Sequence, residues 1–145
     1  MHGIARYMYP HLDVITQNNY TYMIFSASSM TDTISYKLYY AFLPNNYTSG
    51  LTGYSDITKL LTNETMFTGY AQITPKGIYD TNNRRILVVW NGKSSNDVDD
   101  STLRGTYYKF INLAPTDTTT GDNLLTGTIS TSTTTAVKLT SFVPA

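Results

Sequence analysis

Side chains that could act as acids, bases or nucleophiles are few in this chain and poorly placed to cooperate. The two histidines, His2 and His11, both lie near the N-terminus. General-base catalysis needs a base within about 3 Å of the proton it removes, and a terminal segment is a poor support for that geometry. The chain has no Cys, which removes thiolate nucleophiles, disulfides and the usual structural zinc sites. We therefore expect neither a His-based dyad or triad nor thiol chemistry.

Carboxylates are the remaining candidates for catalysis. Glu64 is the only glutamate, and further acids stand at Asp56, at Asp80 and in the loop from Asp97 to Asp100. A glycosidase would use two such groups as a pair. Nearly every Asp, however, stands in a turn context, where Asp is favoured because its side chain hydrogen-bonds nearby backbone. The sequence therefore predicts that the protein is not an enzyme and has no cofactor.

The segment NDVDD at residues 96–100 concentrates oxygen ligands of the kind that Ca²⁺ prefers. It lacks the Gly and the distant bidentate Glu of an EF-hand loop. A solvated acidic loop that faces Arg84, Arg85 or Arg104 agrees better with the sequence. We predict no metal site, and Ca²⁺ binding by this loop stays open as the alternative.

Tyrosine is abundant, with 13 Tyr against 5 Phe and 1 Trp. Tyr joins an apolar ring to a polar tip, so it suits half-buried strands and hydrated contact surfaces better than dry cores. Tyr47 and Tyr54 lie beside Gly50 and Gly53 and are candidates for an exposed contact, such as stacking on a sugar ring. Trp90 ends an apolar run and is predicted to lie in the core.

The charge balance disfavours several classes of partner. Ten basic residues offset ten acidic ones, and charged residues make up only 14% of the chain. A neutral chain has no general field that attracts nucleic acid or anionic lipid, so we expect neither as a partner. Low charge also lowers the solubility of a free monomer, which indicates that a partner covers much of the surface.

Targeting signals are not evident either. No stretch approaches the roughly 18 apolar residues of a transmembrane helix, so no membrane association is expected. The first ten residues have no basic start followed by an apolar run. We therefore expect a protein made in the cytoplasm without a signal peptide, or a processed form.

Period-two alternation predicts that strands dominate the fold. The clearest case runs from Ile34 to Phe42, where every second residue is apolar or aromatic. The apolar run at residues 84–90 follows a turn at residues 80–83 and predicts a strand covered on both faces. Strands are predicted at residues 20–27, 33–43, 66–73, 84–90, 104–113, 124–130 and 135–143, with a turn at residues 130–135.

One short helix is predicted at residues 55–62. Ser55 can cap it, and Ile57, Leu60 and Leu61 fall on one stripe. Seven or eight short strands at roughly ten-residue spacing are typical of an antiparallel β-sandwich or barrel. The predicted organisation is an N-terminal arm at residues 1–13 followed by one all-β domain at residues 14–145.

In composition the whole chain resembles small bacteriophage virion proteins. It shares with them abundant Asn, Thr and Tyr, few charges, no Cys and a Ser/Thr-rich stretch at residues 126–135. The fragment RRILVVWNG at residues 84–92 is similar to a strand and turn of lambda-type capsid decoration proteins. The resemblance implies a β-rich, multi-copy, often trimeric protein that docks on a capsid, neck or tail.

We therefore expect a non-enzymatic virion structural protein, first of all a capsid decoration or cement protein, or else another head or tail component. It would adhere to capsid or tail subunits and to copies of itself, for example as a trimer. The candidate interface residues lie in the two termini and one loop: Ile4, Tyr7, Met8, Tyr9, Tyr47, Tyr54, Phe142 and Val143.

Two other functions stay open. The first is a glycan-binding, adhesin-type β-sandwich that uses Tyr47, Tyr54 and the loop from Asp97 to Asp100. The second is an extracellular filament subunit whose terminal strand completes the sheet of the next subunit.

Overall fold

A computed structural model describes residues 12–17, 20–28, 36–44, 58–97, 105–114 and 130–141. These residues contain nine strands in two antiparallel sheets. The first sheet has four strands in chain order: β1 (Leu12–Gln17), β2 (Tyr20–Ala27), β3 (Lys37–Pro44) and β4 (Thr58–Leu60). The prediction of an all-β, sandwich-like fold is confirmed.

The second sheet is built on β7. Its members are β5 (Gln72–Asp80), β6 (Arg85–Gly92), β7 (Gly105–Ala114), β8 (Ser130–Thr133) and β9 (Val137–Ser141). β6 pairs with one edge of β7, whereas β8 and β9 pair with successive parts of its other edge. The last two strands therefore form one edge of the sheet, interrupted at Thr134–Ala136.

The core lies between the two sheets. Their inner faces contribute alternate residues that are almost wholly buried: Tyr22, Ile24, Leu38, Tyr40 and Phe42 from the first sheet, and Ile86, Val88, Trp90, Tyr107, Ile111 and Leu113 from the second. A 3₁₀ turn at Thr65–Phe67 adds Phe67, whose ring meets those of Trp90 and Tyr107 edge-on. Such edge-on contacts stabilise aromatic clusters beyond simple burial. Trp90 is thus a core residue, as predicted.

Several predicted strands are confirmed. The alternation that ends at Phe42 corresponds to β3, the apolar run corresponds to β6, and residues 105–113 lie in β7. The predicted turn before β6 is also present, because Asp80 pairs with Arg85 across a hairpin. β9 begins two residues after the predicted start of the last strand.

Other predictions are wrong. The helix at residues 55–62 is not formed, because residues 58–60 are β4 and pair with β3. The strand at residues 66–73 is replaced by the 3₁₀ turn and the first two residues of β5. Ser130–Thr133 form β8 rather than a turn. The division into an arm at residues 1–13 and a domain at residues 14–145 stays a prediction, since β1 begins at Leu12 and residues 1–11 lie outside the described residues.

A β-bulge interrupts the pairing of β5 with β6. Ile73 pairs with Asn91 and Lys76 with Val89, so β5 carries one extra residue here. Thr74 takes a positive φ of 52° at this point, which is rare for a β-branched residue. In the part of the chain that the structure describes, no helix has the length and apolar character needed to cross a membrane.

Candidate interaction surface

Apolar side chains form two rows across the outer face of the second sheet. In the first row, Ile78 pairs with Leu87, and Leu87 pairs with Phe110. In the second row, Val89 pairs with Tyr108, and Tyr108 pairs with Val137. Directly paired residues of antiparallel strands point to the same side. We call this surface the outer apolar face: Ile78, Leu87, Val89, Tyr108, Phe110 and Val137.

The outer apolar face is incompletely covered. Ile78 is 64% exposed and Val137 is 45% exposed, and the other four side chains are half-buried. The neighbours of these residues along the strands, such as Ile86 and Val88, are fully buried in the core. The second sheet is thus apolar on both faces, although only the inner face is fully buried. Exposed apolar patches of this kind are typical of interaction sites.

An open strand edge borders the outer apolar face. Among the described strands, β9 pairs only with β7, so its other edge has no strand partner there. Leu139 is 57% exposed and occupies an irregularity in the pairing with β7. An edge with unpaired backbone groups can accept a strand from another chain. The face and the edge together form one continuous candidate contact surface.

Charged residues stand at the opposite border of this face. The Arg85 guanidinium lies 3.9 Å from the centre of the Phe110 ring and donates to Asp80 Oδ2 at 2.9 Å. Hydrogen bonds lower the pKa of Asp80, chiefly the one from the Asn83 side chain and next the one from Arg85. A polar rim around an apolar centre is the usual organisation of a protein interface.

Two polar clusters hold the β8–β9 edge on the body of the protein. In the first, Glu64 Oε1 accepts a hydrogen bond of 2.8 Å from the backbone N–H of Ala136. In the second, Asp97 pairs with Lys138 and accepts a 2.6 Å hydrogen bond from the Tyr107 hydroxyl. β9 is therefore fixed at its start by two acidic side chains.

The ionisation of the second cluster follows from these contacts. Burial opposes the charge on Asp97, but hydrogen bonds from Lys138, Tyr107 and the backbone of Ser94 outweigh it and lower the pKa. Burial, together with the hydrogen bond to Asp97, raises the pKa of Tyr107 to about 12. At neutral pH Asp97 is thus a carboxylate and Tyr107 a neutral phenol.

Lys109 lies beneath the edge and is fully buried. Its Nζ donates to the carbonyl of Leu61, to Asn63 Oδ1 at 3.1 Å and to Glu64 Oε1 at 3.0 Å. Burial lowers the pKa of Lys109, and the interaction with Glu64 opposes that effect. β7 thereby holds the segment after β4 in place.

The eight predicted interface residues all lie outside the described residues: Ile4, Tyr7, Met8, Tyr9, Tyr47, Tyr54, Phe142 and Val143. Of the acidic loop from Asp97 to Asp100, only Asp97 is described. The side chain of Asp97 pairs with Lys138. The rest of the loop and Arg104 lie outside the described residues, so the contact of this loop with Arg84, Arg85 or Arg104 stays a prediction. Within the described ranges, no group of three His, Asp or Glu side chains could hold a metal ion.

The sequence predicts that β6 is covered on both faces, but the structure leaves Leu87 and Val89 on its outer face only half-buried. Residues 86–90 are apolar at every position, so both faces of β6 had to be apolar. The sequence does not give the register that aligns them with Tyr108, Phe110 and Val137, because register is set by pairing between distant segments.

We compared the chain with protein-family models, with curated proteins and with solved structures, and none of the three comparisons found a match.

Proposed function

We propose that the protein is a non-enzymatic structural protein of a bacteriophage particle, of the capsid decoration or cement type or another head or tail component. It acts by adhesion, through the outer apolar face and the adjoining β9 edge. Its partners are copies of itself, in an oligomer such as a trimer, and the neighbouring capsid or tail subunits. It is made in the host cytoplasm and functions in the virion.

The observation that carries this proposal is the outer apolar face. Burying apolar surface stabilises association by roughly 25 cal/mol per Å². This face offers two apolar rows beside an edge of β9 that has no strand partner among the described strands. Aromatic residues such as Tyr108 and Phe110 are enriched at interface centres. An assembly that covers these rows would complete the second sheet as a layer buried on both sides.

The use of the described carboxylates supports the same proposal. Asp13, Glu64, Asp80 and Asp97 each form an ion pair with a Lys or Arg. Each also fixes backbone or a turn; for example, Asp13 Oδ2 accepts from the N–H of Gly77 at 2.7 Å. These acids therefore join segments of the fold, which agrees with a structural role.

Sedimentation velocity of the purified protein over a wide range of concentrations tests the proposal. We expect the wild-type protein to be an oligomer. The double variant Ile78→Glu/Val137→Glu should be a folded monomer, because it places two charges on the face that the oligomer would bury. The matched control Asn82→Glu/Ser95→Glu adds the same charges at exposed positions outside the strands that form the face, and it should keep the oligomer.

Two results would contradict the proposal. The first is a wild-type protein that stays monomeric at every concentration. The second is a charged-face variant that assembles as well as the control. Binding of a monomer to a glycan array would instead support the adhesin alternative, and open-ended polymers would support a filament subunit.

A further inference from the structure

An amine, a carboxamide and a carboxylate meet at one point beneath the β8–β9 edge. Lys109 Nζ lies 3.1 Å from Asn63 Oδ1 and 3.0 Å from Glu64 Oε1. The side chain of Lys109 is fully buried, whereas Asn63 is exposed on the solvent side. An ion pair alone would need only Lys109 and Glu64. The presence of the amide beside the buried amine suggests chemistry between them.

We propose that Lys109 and Asn63 react within the folded chain to form an isopeptide bond, with Glu64 as the proton carrier. Nζ of Lys109 attacks Cγ of Asn63, a new C–N bond forms, and the bond from Cγ to Nδ2 breaks. The ammonium–carboxylate pair and the amide are converted to a secondary amide, the Glu64 carboxylate and one ammonium ion. No oxidant, metal or second substrate enters the balance.

Burial shifts the amine towards its neutral, nucleophilic form, although the contact with Glu64 opposes this shift. Burial lowers the pKa of Lys109, because a charged group is disfavoured away from water. Glu64 lies close enough to take the proton that the amine must lose before attack. The atom of Glu64 that contacts Nζ is Oε1, so Oε1 takes this proton and returns it to the leaving nitrogen of the tetrahedral intermediate.

The backbone holds the two reactants together. Lys109 is in the middle of β7, between β6 on one edge and β8 and β9 on the other. The carbonyl of Leu61 also binds Nζ and so fixes the amine at the Asn63 segment. Reactants held at such distances avoid most of the entropy cost of meeting. The present hydrogen bond goes to Oδ1, so the amide must turn about its Cβ–Cγ bond before attack.

The exposed position of Asn63 permits both that rotation and the departure of ammonia. The bond would join two residues 46 positions apart. It would make permanent the contact between β7 and the segment after β4. Such a cross-link suits a protein that must resist unfolding, but it does not depend on the proposed role in a virion.

Mass spectrometry of the full-length wild-type protein tests the proposal. Loss of one ammonia lowers the intact mass by about 17 Da. Acylated Lys109 resists trypsin, so digestion should release one branched peptide that joins residues 60–76 to residues 105–138. Separate linear peptides, with cleavage after Lys109, would overturn the proposal. This readout needs no variant and cannot be lost through misfolding.

Variants separate the isopeptide bond from succinimide formation, which also releases ammonia. Lys109→Met and Asn63→Ala should both have the full mass expected from the sequence, and the exposed control Asn82→Ala should still show the loss. A mass loss that persists in Lys109→Met would overturn the proposal. Glu64→Gln should slow bond formation roughly 100-fold or more, and an unchanged rate would contradict the role given to Glu64.

Discussion

Lys109 on β7 and Glu64 before the 3₁₀ turn form an ion pair of 3.0 Å between groups with very different access to water. The Lys109 side chain is fully buried, and that of Glu64 is 18% exposed. Glu64 Oε1 also accepts from the N–H of Ala136 at the start of β9. One carboxylate oxygen therefore connects the centre of the second sheet to its outer edge and to the segment after β4.

Removing only one partner of this ion pair should lower the stability of the fold. Lys109→Met removes the cationic partner of Glu64 in a largely buried place and also prevents the proposed cross-link, so we expect the unfolding free energy to fall by about 3 kcal/mol or more. The double variant Lys109→Met/Glu64→Gln should recover part of the loss, because no charge remains. Urea denaturation monitored by circular dichroism measures both. A double variant that is less stable than Lys109→Met would contradict this account.

Alkaline pH should weaken the fold through Tyr107. Its pKa is about 12 in the folded protein and 10.0 without the protein environment. A raised pKa contributes stability that is complete below pH 10 and is lost as pH rises through about 12. Tyr107→Phe should lack this part of the pH dependence, whereas Tyr39 and Tyr40, whose pKa values are also raised by burial, remain in both proteins. Thermal unfolding at a series of pH values compares the two, and equal slopes would show that Tyr107 does not contribute.

Local pattern predicted those strands whose periodicity agrees with their burial. In β3 the buried residues Leu38, Tyr40 and Phe42 are the alternate apolar positions of the sequence. Most of β5 is not predicted from the sequence, because Pro75 and Gly77 are unfavourable in a strand. In the structure Pro75 lies beside the bulge at Thr74, where the pairing with β6 is already interrupted.

Long-range pairing explains the failures. The stripe of Leu60 and Leu61 predicts a helix, yet the N–H of Leu61 donates to the carbonyl of Leu38 and β4 extends the first sheet. Tertiary pairing here overrides a weak local preference. The cluster around Lys109 could not be predicted from the sequence either, because its partners Asn63 and Glu64 lie more than 40 positions away in the chain and form no recognisable motif.

Gly92 is required by the close approach of a buried side chain. A Cβ at this position would overlap with Gln72 Oε1, which accepts from Trp90 Nε1 at 2.9 Å. Gln72 Nε2 also donates to the carbonyl of Lys93, so the amide cannot move freely. We expect Gly92→Ala to cost about 2 kcal/mol of unfolding free energy.

The loss of unfolding free energy in Gly92→Ala should depend on Gln72. In a Gln72→Ala background the overlapping atoms are gone, so adding Gly92→Ala should cost much less than it does in the wild type. Denaturation of the four proteins of this cycle gives the coupling. Strictly additive losses would mean that the overlap with Gln72 is not the reason for glycine at this position.

At position 74 we expect Gly to give a more stable protein than Ala, the reverse of the usual effect in a strand. In an ordinary strand Gly is less stable than Ala by roughly 0.5–1 kcal/mol, but the positive φ of Thr74 strains any residue that has a Cβ. Thr74→Gly and Thr74→Ala both lose the hydrogen bond from Asn91 to the hydroxyl. We therefore expect the Gly variant to be more stable than the Ala variant by about 1 kcal/mol. Lys76 is an exposed position of β5 without a positive φ, so Lys76→Ala should be more stable than Lys76→Gly there. If Ala were the more stable residue at both positions, backbone strain at the bulge would be ruled out.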